Sequence, residues 1–198
     1  MAAILGRRNR ESRVDLGGKL LIAMPGMGDP RFDRAVILIC KHSPEGAMGL
    51  IVNKAMPDLS FAGLLEQLGI ARGGKGRDIR VHFGGPVERG RGFVLHSCDY
   101  RADGGGTMAI PGDFAMTATQ DILAALAKGR GPDAALLALG YSGWGPGQLE
   151  SEIGRNDWLT ADPAHELIFG TENAKKWAGA LHHMGIDPLS LSAVAGRA

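Results

Sequence analysis

Apolar residues along the chain fall into short runs bounded by glycine, proline and small polar residues. Short runs of this kind, between turn signals, are typical of buried or half-buried β-strands. They cover residues 18–24, 34–41, 47–54, 79–85, 91–99, 107–110, 133–141 and 165–170. The stretch 133–141 is rich in Ala and Leu and fits a strand or a helix, and the glycine-rich loop that follows it favours the strand.

Other segments carry apolar residues at helical spacing. They predict helices at residues 60–70, 119–129, 147–157 and 171–185. Ser60 and Thr119 stand where N-caps are expected, and Gly129 is placed to end the second helix. Helices therefore occur among hairpin-joined strands without strictly alternating with them. This order favours an α+β fold with a mixed or antiparallel sheet over a doubly wound parallel sheet.

Length and charge narrow the possible classes of protein. The chain has 198 residues, enough for one domain with a sizeable core. We predict a basic, disordered arm at residues 1–14, one domain at residues 15–187 and a tail at residues 188–198. The formal net charge of +1 removes the global electrostatic argument for nucleic-acid binding.

The remaining composition favours a cytoplasmic protein. No apolar run approaches the roughly 20 residues that span a bilayer, and the N-terminus does not resemble a signal peptide. Cys40 and Cys98 lack CxxC spacing and are predicted to be buried free thiols, which fits a reducing compartment. No cofactor and no membrane partner are expected.

The most conspicuous stretch is GYSGWGPGQLESEI at residues 140–153. A nucleophile elbow requires Gly-x-Ser-x-Gly, and here Trp144 stands where the final glycine belongs. A phosphate loop would end in Gly-Lys-Ser or Gly-Lys-Thr, and here Gln148 follows Gly147. The stretch is better interpreted as a strand–turn–helix junction that positions Trp144 and Gln148.

Other candidate chemistry is weaker. His82, His96 and Cys98 lie on neighbouring predicted strands but have no fourth ligand and no repeated spacing, so no metal site is predicted. Glu150 and Glu152 are two residues apart on a helix and do not face each other, so we interpret them as a solvated face that complements the helix dipole. Residues 72–91 form the most basic segment, interpreted as a solvated loop.

Five phrases in order along the chain resemble the bacterial AlgH/YqgE family. They are MPGMGDPRFDRAVILICKHSPEGAMGLIVNK, VHFGGPVERGRGFVLHS, TATQDILAALAKG, LGYSGWGPGQLESEIGRNDWL and ELIF followed by Trp177. The likeness covers about residues 16–186. It implies a bifurcated sheet curled into a pseudo-barrel with flanking helices, in a cytoplasmic protein without an established activity. Members of that family are described as uncharacterised or as transcriptional regulators.

The resemblance and the loop chemistry together suggest a binding groove. Relatives in the family commonly have Ala at the place of Ser142, which argues against a serine nucleophile. The loops PGMGDP, GGPVE and SGWGPGQ are predicted to gather at one end of the sheet. The candidate groove residues are Pro25, Asn53, Gly84, Gly85, Pro86, His96, Ser142, Trp144, Gln148 and Glu150.

These observations favour a non-enzymatic binding or regulatory protein whose partner is a protein or a small molecule. Two alternatives stay open. The first is a small hydrolase that uses Ser142 or Glu150 with His96, which requires hydrogen-bonding reach between them. The second is a regulator that binds DNA directly through residues 7–13 and 72–91, although no recognised DNA-reading element accompanies them.

Overall fold

The computed structural model describes residues 14–191. Within them the strands are β1 Leu20–Ala23, β2 Val36–Ser43, β3 Gly46–Ile51, β4 Val81–Phe83, β5 Val87–Ser97, β6 Thr107–Ile110, β7 Phe114–Thr117, β8 Ala135–Trp144 and β9 Trp158–Ala161. The α-helices are α1 Phe61–Gln67, α2 Gln120–Ala127, α3 Gln148–Gly154 and α4 Asn173–His183. A π-helical turn spans Glu166–Gly170, and 3₁₀ turns span Pro30–Phe32 and Pro188–Ser190.

The strands form one sheet in the order β6-β7-β5-β8-β3-β2-β1-β9, with β4 also paired to β8. Strand β8 is the branch point. Residues Ala135 to Leu139 pair with β5, and the last three of them also with the parallel strand β4, whereas Ser142 to Trp144 pair with β3. The other named pairs are antiparallel. The sheet curls into a half-barrel flanked by helices, and the predicted α+β class is confirmed.

The central strands are buried on both faces. Leu20 and Ile22 of β1 belong to one apolar cluster, while Leu21 and Ala23 belong to a second cluster on the opposite face. This alternation follows from the two-residue period of a strand. Helix α4 covers the first face through Trp177 and its neighbours, and α3 covers the second.

The prediction of a strand at residues 165–170 is wrong, because Glu166–Gly170 form a π-helical turn. Leu167 and Ile168 are adjacent, and both are buried. Adjacent strand residues point to opposite faces, so a helical turn suits two neighbours that pack against one core. The turn closes with a hydrogen bond from Thr171 N to Glu166 O at 2.8 Å, five residues back.

The other differences concern short elements. Strands β7 and β9 were not predicted, since each has only four residues and no strong apolar alternation. Ser60 caps α1 as expected, accepting a hydrogen bond from Gly63 N at 3.0 Å. Thr119 precedes α2, but its side chain does not cap the helix, because its hydroxyl donates to Asp121 instead.

Some predictions fall outside the described residues, namely those for the basic arm and for residues 192–198. Within the described part, no helix has the length and hydrophobicity needed to cross a membrane. Both cysteines are free thiols, and Cys40 is buried as predicted. The predicted burial of Cys98 is wrong, because this residue follows the end of β5 and is exposed. Burial raises the pKa of the Cys40 thiol to about 12.

Candidate functional site

Three side chains of α4 attach the first half of this helix to the ends of three strands. Trp177 Nε1 donates to Ala23 O at the end of β1, at 2.8 Å. Lys176 Nζ donates to Val52 O just beyond β3, at 2.7 Å. His82 Nε2 of β4 lies 3.1 Å from Asn173 Oδ1. The helix N-terminus is therefore held against one end of the sheet.

The side-chain amine of Lys176 is buried, and no carboxylate pairs with it among the described residues. Its side chain is 1% exposed, and its amine donates to two backbone carbonyls, Val52 O and, at 2.6 Å, Ile168 O. Burial lowers the pKa of Lys176 to about 7, and the charge of Arg80 adds to the shift. The amine is thus close to the point at which it loses its charge near neutral pH.

His82 lies beside the same helix end and is 1% exposed. Its Nδ1 has no hydrogen-bond partner among residues 14–191. Burial is the main cause that lowers the pKa of His82 to about 4, the bond with Asn173 opposes it, and the charge of Lys176 adds to the lowering. The imidazole is therefore neutral at physiological pH.

A cavity of about 660 Å³ opens where these elements meet. We call it the Trp177 cavity. Residues that line it include Pro25, Arg34, Asn53, Lys54, Asn173 and Trp177. Two of the predicted groove residues, Pro25 and Asn53, are therefore brought together at one site.

Asn53 shapes this cavity through its contacts with the backbone. Its Nδ2 donates to Arg34 O and its Oδ1 accepts from Val36 N, both at 2.8 Å. These bonds hold the turn in which Arg34 takes a φ of 48°, an uncommon value for a residue other than glycine. Asn53 thus positions Arg34, and its own polar atoms are occupied.

Arg34 and Lys54 supply the positive charge of the cavity. The Arg34 guanidinium carbon lies 5.4 Å from the centre of the Trp177 ring, within range of a cation–π contact. Lys54 Nζ donates to Asp33 O at 2.7 Å. Arg34, Lys54, Asn173 and Trp177 were not among the candidate groove residues, although Trp177 ends the fifth family phrase. The sequence signal that could have pointed to α4 is weak: an aromatic residue, Trp177, directly follows two lysines on a predicted helix.

The residues of the GYSGWGPGQLESEI junction belong to a different, closed network. Trp144 Nε1 and Trp158 Nε1 both donate to Glu152 Oε2, at 2.8 and 2.9 Å. Gln148 Nε2 donates to Glu152 Oε1 at 2.9 Å. The two indole rings meet edge to face at 6.1 Å between centroids. The side-chain polar atom of Trp144 is therefore directed to Glu152, which the sequence had suggested was only a solvated acid.

The GGP turn contacts the same junction through its backbone. A Cβ on Gly84 would lie 2.2 Å from Gly140 O, and one on Gly85 would lie 2.1 Å from the Tyr141 carbonyl carbon. Ser142 is 1% exposed, and its hydroxyl is 3.4 Å from Gly84 O. Gly84, Gly85, Pro86 and Ser142 thus lie where two backbones cross, and Pro86 leads directly into β5.

The pair required for hydrolysis is not assembled. His96 pairs with Ala135 on β8, whereas Ser142 lies seven residues further along that strand, roughly 23 Å away at the usual rise per residue. His96 is fully buried, with Nδ1 2.7 Å from Ser97 O and Nε2 2.9 Å from Thr117 Oγ1. Burial lowers the pKa of His96 as well. Its ring nitrogens are occupied within the fold.

Glu150 has another histidine as its neighbour. His42 Nε2 lies 3.0 Å from Glu150 Oε1. Since His42 Nδ1 accepts from Leu16 N at 3.2 Å, the neutral ring carries its proton on Nε2 and donates to Glu150. Within residues 14–191, no group of three or more His, Cys, Asp or Glu side chains is arranged to hold a metal ion.

Much of the basic segment is engaged in holding the fold. Arg77 donates to Pro132 O and Asp133 O. Arg80 donates to Phe169 O and Thr171 O, both at 3.3 Å. The guanidinium carbons of Arg89 and Arg91 lie over the rings of Phe83 and Phe93, at 5.6 and 5.1 Å from their centroids. These four side chains therefore make contacts within the fold, although Arg80, Arg89 and Arg91 are exposed.

Comparison with known proteins gives a consistent result. The family model DUF179, described as AlgH-like, matches residues 20–189. A UPF0301 protein of Cereibacter sphaeroides is 66% identical over 185 residues, covering 93% of this chain and 100% of the relative. A UPF0301 protein of Paracoccus denitrificans is 58% identical over 185 residues, covering 93% of this chain and 97% of the relative.

Two solved structures share the architecture. The solution structure of the AlgH protein from Pseudomonas aeruginosa aligns with a TM-score of 0.75 and 37% identity, covering 90% of this chain and 93% of that one. A crystal structure of a protein from Corynebacterium diphtheriae aligns with a TM-score of 0.64 over 84% of this chain and 85% of that one. At 20% identity, the second likeness concerns the fold alone.

Proposed function

This chain belongs to the AlgH-like family, and we propose that it is a non-enzymatic binding or regulatory protein whose small-molecule ligand occupies the Trp177 cavity. The observation that carries the proposal is the Arg34 guanidinium stacked over Trp177 at the wall of an open cavity. A volume of about 660 Å³ is typical of pockets that hold small molecules.

The position of the cavity supports binding. It lies among segments that follow β1, β3 and α4 and precede β2, beside the first half of α4. Ligand sites are commonly built from such connecting segments on a rigid scaffold. The contacts of Asn173, Lys176 and Trp177 with strand ends supply that rigidity.

The two alternative functions receive less support. A hydrolase based on His96 with Ser142 would need hydrogen-bonding reach, and these residues are separated along β8. His96 and Glu150 have other partners, Thr117 and His42. Direct DNA binding would need available cations, whereas Arg77 and Arg80 donate hydrogen bonds to backbone carbonyls of the protein itself.

The proposal places this binding function in the cytoplasm, and a regulatory effect would then pass through the bound ligand to a protein partner. The free thiols of Cys40 and Cys98 support a reducing compartment. Any influence on transcription would be indirect, since the ordered basic segment is largely engaged in structural contacts.

A thermal-shift screen of metabolites, followed by NMR, tests this proposal. The chain has three tryptophans, Trp144, Trp158 and Trp177, so the indole N–H region of a ¹⁵N spectrum reports on a few resolvable sites. A ligand of the cavity should raise the melting temperature and shift the Trp177 indole signal. The signals of Trp144 and Trp158, which donate to Glu152, should stay in place.

Ala174 offers a variant that blocks the site. It is exposed and lines the cavity in the first turn of α4. Ala174→Phe should abolish the stabilisation by each hit, whereas Ala124→Ser on α2 should not. A broad screen without any ligand that moves the Trp177 signal would overturn the proposal.

A further inference from the structure

The residues that line the Trp177 cavity are of two chemical kinds, and this bears on the class of ligand. Arg34, Lys54 and Asn173 contribute polar and cationic groups, whereas Ala178, Pro188, Leu189 and Leu191 contribute apolar surface. The inference that follows rests on the proposed function, because it concerns the ligand of the same cavity.

Arg34 has unused donor capacity. Among the described residues, no carboxylate or carbonyl accepts a hydrogen bond from its guanidinium, whose recorded contact is the face of Trp177. A guanidinium has N–H donors in a fixed fork that matches a carboxylate or phosphate. The contact with Trp177 holds the Arg34 guanidinium at the cavity wall.

Lys54 adds a second cation beside Arg34. Its ammonium group has three donors, of which one is directed to Asp33 O. The charged residues lining the cavity are Asp33, Arg34 and Lys54, which leaves an excess of one positive charge. An anionic group of a ligand would complement that excess.

The N-terminus of α4 contributes in the same direction. The side chain of its N-cap residue, Glu172, makes no capping hydrogen bond. The Glu172 carboxylate pairs instead with Lys175 Nζ at 2.9 Å, on a surface where both side chains are 72% exposed. Because Lys175 balances the charge of Glu172, the dipole of the 11-residue helix adds positive potential near Asn173 and Ala174.

Apolar residues also line the cavity. Leu189 is 93% exposed, which makes it the most exposed large hydrophobic residue within residues 14–191. It lies with Pro188 and Leu191 along one rim of the cavity. A ligand with a short apolar chain would remove this surface from water.

We propose that the Trp177 cavity binds a small amphiphilic organic anion. Its carboxylate or phosphate group would lie against Arg34 and Lys54, and its apolar part would lie against Leu189 and Leu191. The paired cations account for the charge of the ligand, and the exposed leucines account for its apolar part.

Four probes separate these two requirements. Octanoate and octyl phosphate carry both the charge and the chain, acetate carries only the charge, and octanamide carries only the chain. Affinity is measured from the shift of the Trp177 indole signal during titration. Octanoate or octyl phosphate should bind roughly tenfold or more tightly than acetate and octanamide. The better of the two identifies the anionic group.

A pair of variants matched in size but different in charge tests the role of the cationic residues. Ala174→Glu and Ala174→Gln add side chains of nearly the same size at an exposed position, and Glu in the first turn stabilises a helix. Ala174→Glu should weaken octanoate binding roughly tenfold more than Ala174→Gln. Arg34→Gln should weaken it about tenfold or more, whereas Lys128→Gln, at the exposed C-cap of α2, should leave it unchanged.

The outcomes distinguish the two proposals. If octanamide binds as tightly as octanoate, or if Arg34→Gln and Lys128→Gln behave alike, the anion inference is wrong while ligand binding stands. If none of the four probes moves the Trp177 signal, the anion inference is also wrong, and the metabolite screen then decides the proposed function by itself.

Discussion

Trp144 and Trp158 share one acceptor, since both indole N–H groups donate to Oε2 of Glu152 at 2.8 and 2.9 Å. The two rings are 7% and 2% exposed, so water cannot readily replace that carboxylate. The junction between β8 and α3 therefore depends on Glu152, the fifth residue of α3.

Replacement of Glu152 should destabilise the fold. Glu152→Ala leaves two buried indole donors without an acceptor, and each unsatisfied donor costs about 1–3 kcal/mol. We expect a loss of about 2–4 kcal/mol in the free energy of unfolding, measured by urea denaturation. The control is Glu66→Ala on the exposed side of α1, which should change stability by less than about 0.5 kcal/mol. Equal effects of the two substitutions would contradict this account.

Lys176 should make stability depend on pH above neutrality. Its pKa is lowered to about 7 in the folded protein, from 10.5, because its amine is buried. Between these values the unfolded chain binds the proton and the folded protein does not, so stability rises with pH. The slope from this residue is about 1.4 kcal/mol per pH unit, reached once pH exceeds the folded pKa.

Urea denaturation at pH 6, 7, 8 and 9 checks this contribution. The stability of the native protein relative to Lys176→Met should increase across that range. Lys175→Met removes the adjacent lysine, whose side chain is 72% exposed. The difference in stability between the native protein and Lys175→Met should not change with pH. A constant difference between native protein and Lys176→Met would mean that Lys176 stays charged when buried.

His82 should make stability depend on pH below neutrality. Its pKa is lowered from 6.5 to about 4, chiefly by burial. Below pH 6.5 the unfolded chain gains a proton that the folded protein does not accept, so stability falls as pH decreases towards 4. The loss reaches about 3 kcal/mol at the lower limit.

The matched variants for this test are His82→Gln and His183→Gln. The first should remove the acid-dependent loss between pH 6.5 and 4, because Gln does not titrate. The second changes an exposed histidine at the end of α4 and should keep the loss. If His82→Gln retains the same acid dependence as the native protein, another group is responsible.

Gly85 should be sensitive to the smallest side chain. Its φ is 154°, and a Cβ there would lie 2.1 Å from the Tyr141 carbonyl carbon. Gly85→Ala should lower stability by about 3 kcal/mol or more, or prevent folding, because the crossing backbones must separate. Circular dichroism during thermal unfolding measures the effect.

Gly90, on β5 a few residues after this turn, provides the control. A Cβ at Gly90 would meet nothing within 4 Å. Gly90→Ala should be neutral or stabilise by about 0.4–1 kcal/mol, since Ala reduces the freedom of the unfolded chain. Similar losses at Gly85 and Gly90 would show that the backbone crossing is not the cause.

The sequence was sufficient for the local and periodic features. Helical spacing and the Ser60 cap predicted α1, and apolar runs with turn residues predicted most strands. Family resemblance supplied the half-barrel, which the structure confirms. Where the local signal was weak or misleading, the prediction failed. Strand β9 was missed, and the apolar residues Leu167 and Ile168 suggested a strand although they lie in a π-helical turn.

The candidate site shows where sequence reasoning reaches its limit. The glycine-rich junction was identified because its backbone requirements are written in the chain itself. By contrast, Arg34, Asn53, Lys54 and Trp177 come together from separate parts of the chain. Nothing in the neighbouring residues of Arg34 indicates that its guanidinium meets an aromatic ring on α4.

The sequence by itself determined most of the segments that become strands and helices, because hydrophobic period and turn chemistry act over a few residues. The tertiary structure decided the partners of the polar side chains. Glu152 became the acceptor for two indoles, and Lys176 came to donate to Val52 O, 124 residues away. Such pairings depend on how α3 and α4 pack against the sheet, and packing brings together atoms whose separation along the chain carries no local signal.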